Sequence, residues 1–246
     1  MSKRVRVIGT VAAVCVGAWG LGACGLLPSK TFKDDATVTK KITAVRIDGD
    51  SGGLTVHGGK GGGAVSVHRA VTYHGDRPEG KTYRVEDGVL VLGDCGDECS
   101  VDYTVEVPAG IPVSGETSNG SVSLSKVGAV EVTTSSGEVE LDGATGAVHV
   151  RTSNGQITGR GLSGGHIEAE TSNGSIELSP ATAQDIRAKT SNGSVTVKVP
   201  KGPYRISAQT SSGDKDINVA SDPGARYRLD LITSNGDITA EPAQAG

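Results

Sequence analysis

A four-residue unit, Thr-Ser-Asn-Gly or Thr-Ser-Ser-Gly, recurs through the second half of this chain, and its spacing restricts the fold more than any other feature. The threonines are Thr117, Thr134, Thr152, Thr171, Thr190, Thr210 and Thr233, at separations of 17, 18, 19, 19, 20 and 23 residues. A period near 20 residues is the signature of stacked units, each too small to bury its apolar face alone. Four residues before each Thr stand Val113, Val130, Val148, Ile167, Ile186, Ile206 and Leu229. Two before stand Gly115, Val132, Val150, Ala169, Ala188, Ala208 and Leu231, while positions between them, such as Glu131, His149, Glu168 and Arg187, are mostly polar. That alternation describes a strand with one buried face.

Beyond each repeat glycine the alternation resumes, as in Val122 and Leu124, Val139 and Leu141, Ile176 and Leu178, and Val195 and Val197. One unit is therefore strand, bend, strand and short return. Asn-Gly also marks two-residue hairpins, which would give a meander. Recurrence of one residue type at one position favours parallel stacking, because stacking turns the repeat into ladders of like residues. Seven coils at about 4.8 Å each would rise roughly 34 Å. Of 246 residues 37 are glycine, about twice the usual share. Tight bends use that glycine, and a thin core explains why only one Phe, one Trp and five Tyr are present.

Ile47 to Val56 aligns without a gap on Val132 to Leu141 and reads as an earlier coil. Residues 64–107 depart from the unit, with longer alternating runs and three of the tyrosines, and read as a strand-rich cap over one open end. The expected fold is all-β: a parallel β-solenoid of about seven or eight short coils. The first coil and N-terminal β cap take residues 43–110 and the repeats residues 111–246.

The first 24 residues read as an address. Lys3, Arg4 and Arg6 precede an apolar stretch from Val7 to Leu21, followed by Leu21-Gly22-Ala23-Cys24. The stretch is shorter than the roughly 20 residues of a spanning helix and has the proportions of a secretory signal. A Cys directly after small residues resembles the bacterial lipobox, which would make Cys24 the lipidated first residue of the mature protein. Residues 25–42 show neither helical nor strand period and read as a flexible tether.

The segment VDYTVEVPAGIPVSGETSNGSVSL and the units after it resemble the bacterial putative-adhesin family of β-strand-repeat proteins, whose function is undefined. The resemblance spans residues 43–240. It implies a β-solenoid at the cell envelope and carries over no catalytic motif.

Without its first 23 residues the chain has 21 basic and 28 acidic residues, which disfavours nucleic acid as a partner. The repeat threonines share parity with the core and are expected to face inward at a corner. Asn119, Asn154, Asn173, Asn192 and Asn235 are expected to stack as amides. Cys95 and Cys99, five residues apart inclusive, fit a structural disulfide outside the cytoplasm. Zinc at those cysteines would need two of His57, His68 and His74. Calcium near Asp94, Asp97 and Glu98, or at Asp48 and Asp50, lacks a complete ligand pattern. No metal, cofactor or catalytic residue is therefore assigned.

Glu138, Glu140, Glu177, Asp214, Asp216 and Asp237 make one outer face acidic. Asp214, Asp216 and Asp237 could serve a β-helix enzyme on envelope polysaccharide, the alternative to a non-catalytic module. The expected function is that of an extracytoplasmic, lipid-anchored binding or structural module. Its partners are the membrane, through the anchor, and an envelope polymer or protein.

Overall fold

The computed structural model describes residues 28–59 and 64–243. Cys24 and the leader, with the anchor assigned to them, lie outside the described residues. The described chain contains no helix and forms 21 strands. The N-terminal part holds β1 (Lys30–Val38), β2 (Ala44–Asp48), β3 (Leu54–Gly59), β4 (Val65–Tyr73), β5 (Tyr83–Glu86), β6 (Val89–Gly93) and β7 (Cys99–Pro108). Four repeats supply β8 (Val113–Asn119), β9 (Val122–Ser125), β10 (Val130–Ser136), β11 (Val139–Asp142), β12 (Val148–Asn154), β13 (Ile157–Arg160), β14 (His166–Asn173) and β15 (Ile176–Ser179). The remainder forms β16 (Asp185–Lys189), β17 (Val195–Val199), β18 (Arg205–Gln209), β19 (Lys215–Ile217), β20 (Arg228–Ile232) and β21 (Ile238–Pro242).

These strands make two sheets, of eleven and ten strands, and the repeats pair in parallel and in register. Val113, Val130, Val148, Ile167 and Ile186 stack in one apolar column, and Val122, Val139, Ile157, Ile176 and Val195 in another. All ten are at most 2% exposed, so the inner faces close on one aliphatic core. The all-β parallel solenoid expected from the repeat is the observed architecture. Its rungs, in spatial order, are β6/β7, β2/β3, β8/β9, β10/β11, β12/β13, β14/β15, β16/β17, β20/β21 and β18/β19. The seven or eight coils expected correspond to the eight rungs from β2/β3 onward, and the ninth rung, β6/β7, belongs to the cap.

Stacking order departs from chain order near the C-terminus. Rung β20/β21 sits between β16/β17 and β18/β19, although β18/β19 comes earlier in the chain. Burial explains the exchange. Leu229, Leu231, Ile238 and Ala240 of the later rung are fully buried. Ile206, Ala208 and Ile217 of the earlier one are only half-buried, beside exposed Lys215 and Asp216. The more apolar rung takes the interior place, and the more polar one takes the open end.

The N-terminal cap is antiparallel. β1 pairs with β4, β4 with β7, and β5 with β6. Residues 30–38, expected to lie in a tether, instead form β1. Phe32, Asp34, Ala36 and Val38 alternate onto its partly buried side. A charged residue among these four hides the strand period. The Asp34 carboxylate accepts two hydrogen bonds of 2.7 Å from Arg69, whose own exposure is 5%. Such a bidentate pair can occupy a face where an apolar side chain would otherwise sit. The Arg77 guanidinium lies 3.9 Å from the centroid of the Phe32 ring.

Glycine at the repeat corner lets neighbouring rungs touch. At Gly174, with φ +152°, a Cβ would lie 2.0 Å from the Gly155 carbonyl oxygen. Gly75, with φ +74°, has open space instead. Gly174→Ala is expected to cost roughly 2–5 kcal/mol, combining backbone strain with overpacking. Gly75→Ala should cost only about 1–2 kcal/mol, from its backbone angle alone. Urea unfolding compares them, and equal losses would contradict a contact-limited corner.

Candidate functional site

The ten-stranded sheet carries a charged outer face whose order follows from register. Glu131, His149, Glu168, Arg187 and Asp230 form one row across β10, β12, β14, β16 and β20. Arg151, Glu170 and Lys189 form the next row. Opposite charges on adjacent strands support each other, as cross-strand pairs do. Arg187 meets Asp230 at 2.6 Å and Glu170 at 3.7 Å, and Arg151 meets Glu170 at 3.3 Å.

Glu168 is the hub of this network. Its Oε2 lies 3.1 Å from His149 Nδ1, while its Oε1 lies 3.5 Å from Arg151 and 4.0 Å from Arg187. Partial burial opposes ionisation of Glu168, but the His149 hydrogen bond and the Arg151 charge outweigh it and hold the carboxyl below its usual range. His166, two residues before Glu168 on β14, shares this face. The His166 and His149 ring centroids are 5.5 Å apart. The sequence pattern alone marks neither His149 nor His166 as a site. The 19-residue separation of His149 and Glu168 equals that of Thr152 and Thr171, and this marks them as neighbours on successive rungs.

The repeat corner carries two side-chain ladders. Thr152, Thr171, Thr190 and Thr233 donate through Oγ1 to the carbonyls of Gly137, Gly155, Gly174 and Gly193, over 2.9–3.3 Å. Thr210 reaches Gly236 in the same way. Thr134 is buried but bonds to the Ser136 carbonyl. Thr117 is half-buried, next to the rung that carries Gly49 at this place. Amides of Asn154, Asn173, Asn192 and Asn235 link in sequence at 3.0 Å. Asn119 is separated from that ladder by Ser136 and is exposed.

The acidic face of the other sheet is partly neutralised. Arg160 reaches Glu140 at 3.2 Å, and Lys198 reaches Glu241 at 3.0 Å. Asp237 accepts a hydrogen bond from the Asp214 backbone N–H at 2.9 Å, which places these two on adjacent rungs. Asp216 accepts from Asn218 Nδ2. These carboxylates thus serve the chain's own turns and strands.

In the cap, Cys95 and Cys99 are disulfide-bonded, with an S–S distance of 2.01 Å, between β6 and β7. His57 bonds to Ser125 and His68 to Asp35, away from a shared centre with the cysteines. Asp48 pairs with Arg84, and Asp50 accepts from Ser118. Beside Gly52 and Tyr103 lies a cleft of about 20 Å³, room for about one water. The wider hollows among the described residues are open troughs on the outer faces, such as the one lined by Glu131, His149, Arg151 and Glu168.

Two in-register parallel sheets, a glycine-threonine corner and an antiparallel cap define a short two-sheet β-solenoid. Within that class the chain belongs to the Toastrack DUF4097 family, whose model matches residues 109–241. The expected membership of a family of β-strand-repeat domains of undefined function is thus borne out. No curated protein matches the chain. Solved structures similar to it include the following two. A putative cell adhesion protein from Clostridium sporogenes ATCC 15579 has 12% identity and a TM-score of 0.40, covering 87% of this chain and 100% of that one. A putative adhesin from Parabacteroides distasonis ATCC 8503 has 13% identity and a TM-score of 0.39, covering 85% of this chain and 97% of that one.

The lowered Glu168 carboxyl has a consequence for stability. A depressed acid contributes stability above its unfolded value, ordinarily 4.5, and loses it as pH falls through the folded value. Glu168→Gln is expected to cost about 0.5–1 kcal/mol at pH 7, the scale of a partly exposed network. The gap from the parent should close as pH falls below the ordinary carboxylate range. Denaturant titrations across that interval check it, and a gap independent of pH would contradict the hub role.

Proposed function

We propose that this protein is a non-catalytic binding or structural module of the cell envelope, held at the membrane by lipid on Cys24. The observation that carries the binding role is the disposition of surface. Long regular rows of polar and charged side chains lie open on the outer sheet faces of the described residues. Small substrates are usually gripped in concave pockets that bury most of their surface. A flat ladder instead suits an extended polymer or a protein surface, which it can meet at several rungs at once. The resemblance of the repeat to adhesin-like β-strand-repeat proteins supports the same reading. The lipobox-like Leu21-Gly22-Ala23-Cys24 supports the anchor, with two or more acyl chains for stable attachment.

Growth with a radioactive fatty acid tests the anchor. Label is expected in the parent chain and absent from Cys24→Ala. An unlabelled parent would overturn it. The binding role is tested by immobilising the whole chain and exposing it to envelope fractions. Reproducible enrichment of one polymer or protein over an unrelated acidic domain is the expected result. Failure to enrich any component would count against the role.

A further inference from the structure

We propose that His149, His166 and Glu168 form a binding site for a zinc-class divalent metal on the outer face of the ten-stranded sheet. One ligating atom from each residue lies within 4.8 Å of those from the other two. The ligands come from two adjacent parallel strands. His149 of β12 stands directly beside Glu168 of β14, and His166 precedes Glu168 by two residues on the same face. A strand alternates its side chains, so these positions all project to one side. In-register pairing fixes their separation before any metal arrives.

The distances suit a small metal. Across a tetrahedral centre with bonds of 2.0–2.1 Å, neighbouring ligand atoms stand about 3.3 Å apart. His149 Nδ1 and Glu168 Oε2 are already 3.1 Å apart. The exposed His149 ring and the half-buried His166 ring would close from separations of at most 4.8 Å to complete the set. Two imidazoles and one carboxylate favour zinc and related transition metals over calcium or magnesium, which take oxygen ligands. Three protein ligands leave at least one position open to solvent or to a partner's side chain.

The surrounding charges orient the carboxylate. Arg151 and Arg187 approach Oε1 of Glu168, which leaves Oε2 turned toward His149. That is the positioning expected of an outer shell of ligand partners. Their positive charges are balanced by Glu170 and Asp230, which they also contact. Glu131 lines the same trough beside His149 and adds negative charge at its rim.

Isothermal titration of the whole chain with zinc chloride tests the proposal, using protein purified in detergent without a histidine tag. One zinc per chain is expected, with no comparable uptake of calcium. His149→Ala and His166→Ala should each weaken binding by more than about tenfold, since losses in the outer shell alone reach that scale. His68→Ala, which removes a histidine bonded to Asp35 in the cap, should leave it unchanged. Thermal unfolding verifies that each variant is folded. Shifts of the His149 and His166 ring resonances on adding zinc provide a second readout in the parent itself. No saturable zinc uptake, or uptake insensitive to both substitutions, would overturn the site.

Discussion

From β12 onward each rung is set against its neighbour at a corner where one glycine backbone touches another and a threonine hydroxyl bonds across the junction. At Gly137, Gly174 and Gly193 an added Cβ would meet the preceding rung's glycine carbonyl at 2.0–2.2 Å. Of these carbonyls, those of Gly155 and Gly174 accept from the Thr171 and Thr190 hydroxyls. A buried polar group without a partner would cost more than the net worth of the bond. Contact and hydrogen bond together permit one register. Every other ladder in the molecule inherits it: the aliphatic columns inside, the amides at the bend and the charges outside.

The ends of such a stack are its weak points, since an unpaired strand invites further pairing. The two ends solve this differently. At the N-terminal end the chain adds antiparallel β5, β4 and β1 over the first parallel rungs. The Asp34–Arg69 pair and the Arg77–Phe32 contact hold the outermost strand. At the other end no comparable cover follows β18 and β19 among the described residues. The chain instead places its most polar rung outermost and tucks the last, more apolar rung inside. Exposed Lys215 and Asp216 on the short β19 disfavour a flush edge-to-edge partner.

Most of the solenoid is legible in the sequence because strand parity and repeat spacing are local properties. The gapless alignment of Ile47–Val56 with Val132–Leu141 places the first coil correctly, and Ile47 and Val56 do occupy the columns of Val132 and Leu141. Strand β1 was hidden because its alternation includes Asp34, whose partner Arg69 lies 35 residues away. The rung exchange was hidden because it depends on relative burial between whole coils. Its traces are the 23-residue gap before Thr233 and the charges at Asp214, Lys215 and Asp216. The His149–Glu168 contact was hidden for a simpler reason: an outward histidine means little until the rung beside it is known.

That last point bears on where function resides in a repeat protein. Residues that recur in each unit, such as Thr152, Thr171 and Thr190, are explained by the corner they build. Positions that vary at constant register are not so constrained. The column Glu131, His149, Glu168, Arg187 and Asp230 changes chemistry at every rung while its backbone stays the same. A flat sheet thereby acquires a particular pattern of charge and imidazole without altering its core. In this fold the periodic residues specify the scaffold, and chemical individuality is confined to the outward, aperiodic ones. His149 and His166 are the most individual of these, because their clustering with Glu168 adds metal-ligating capacity to an otherwise alternating row of acids and bases.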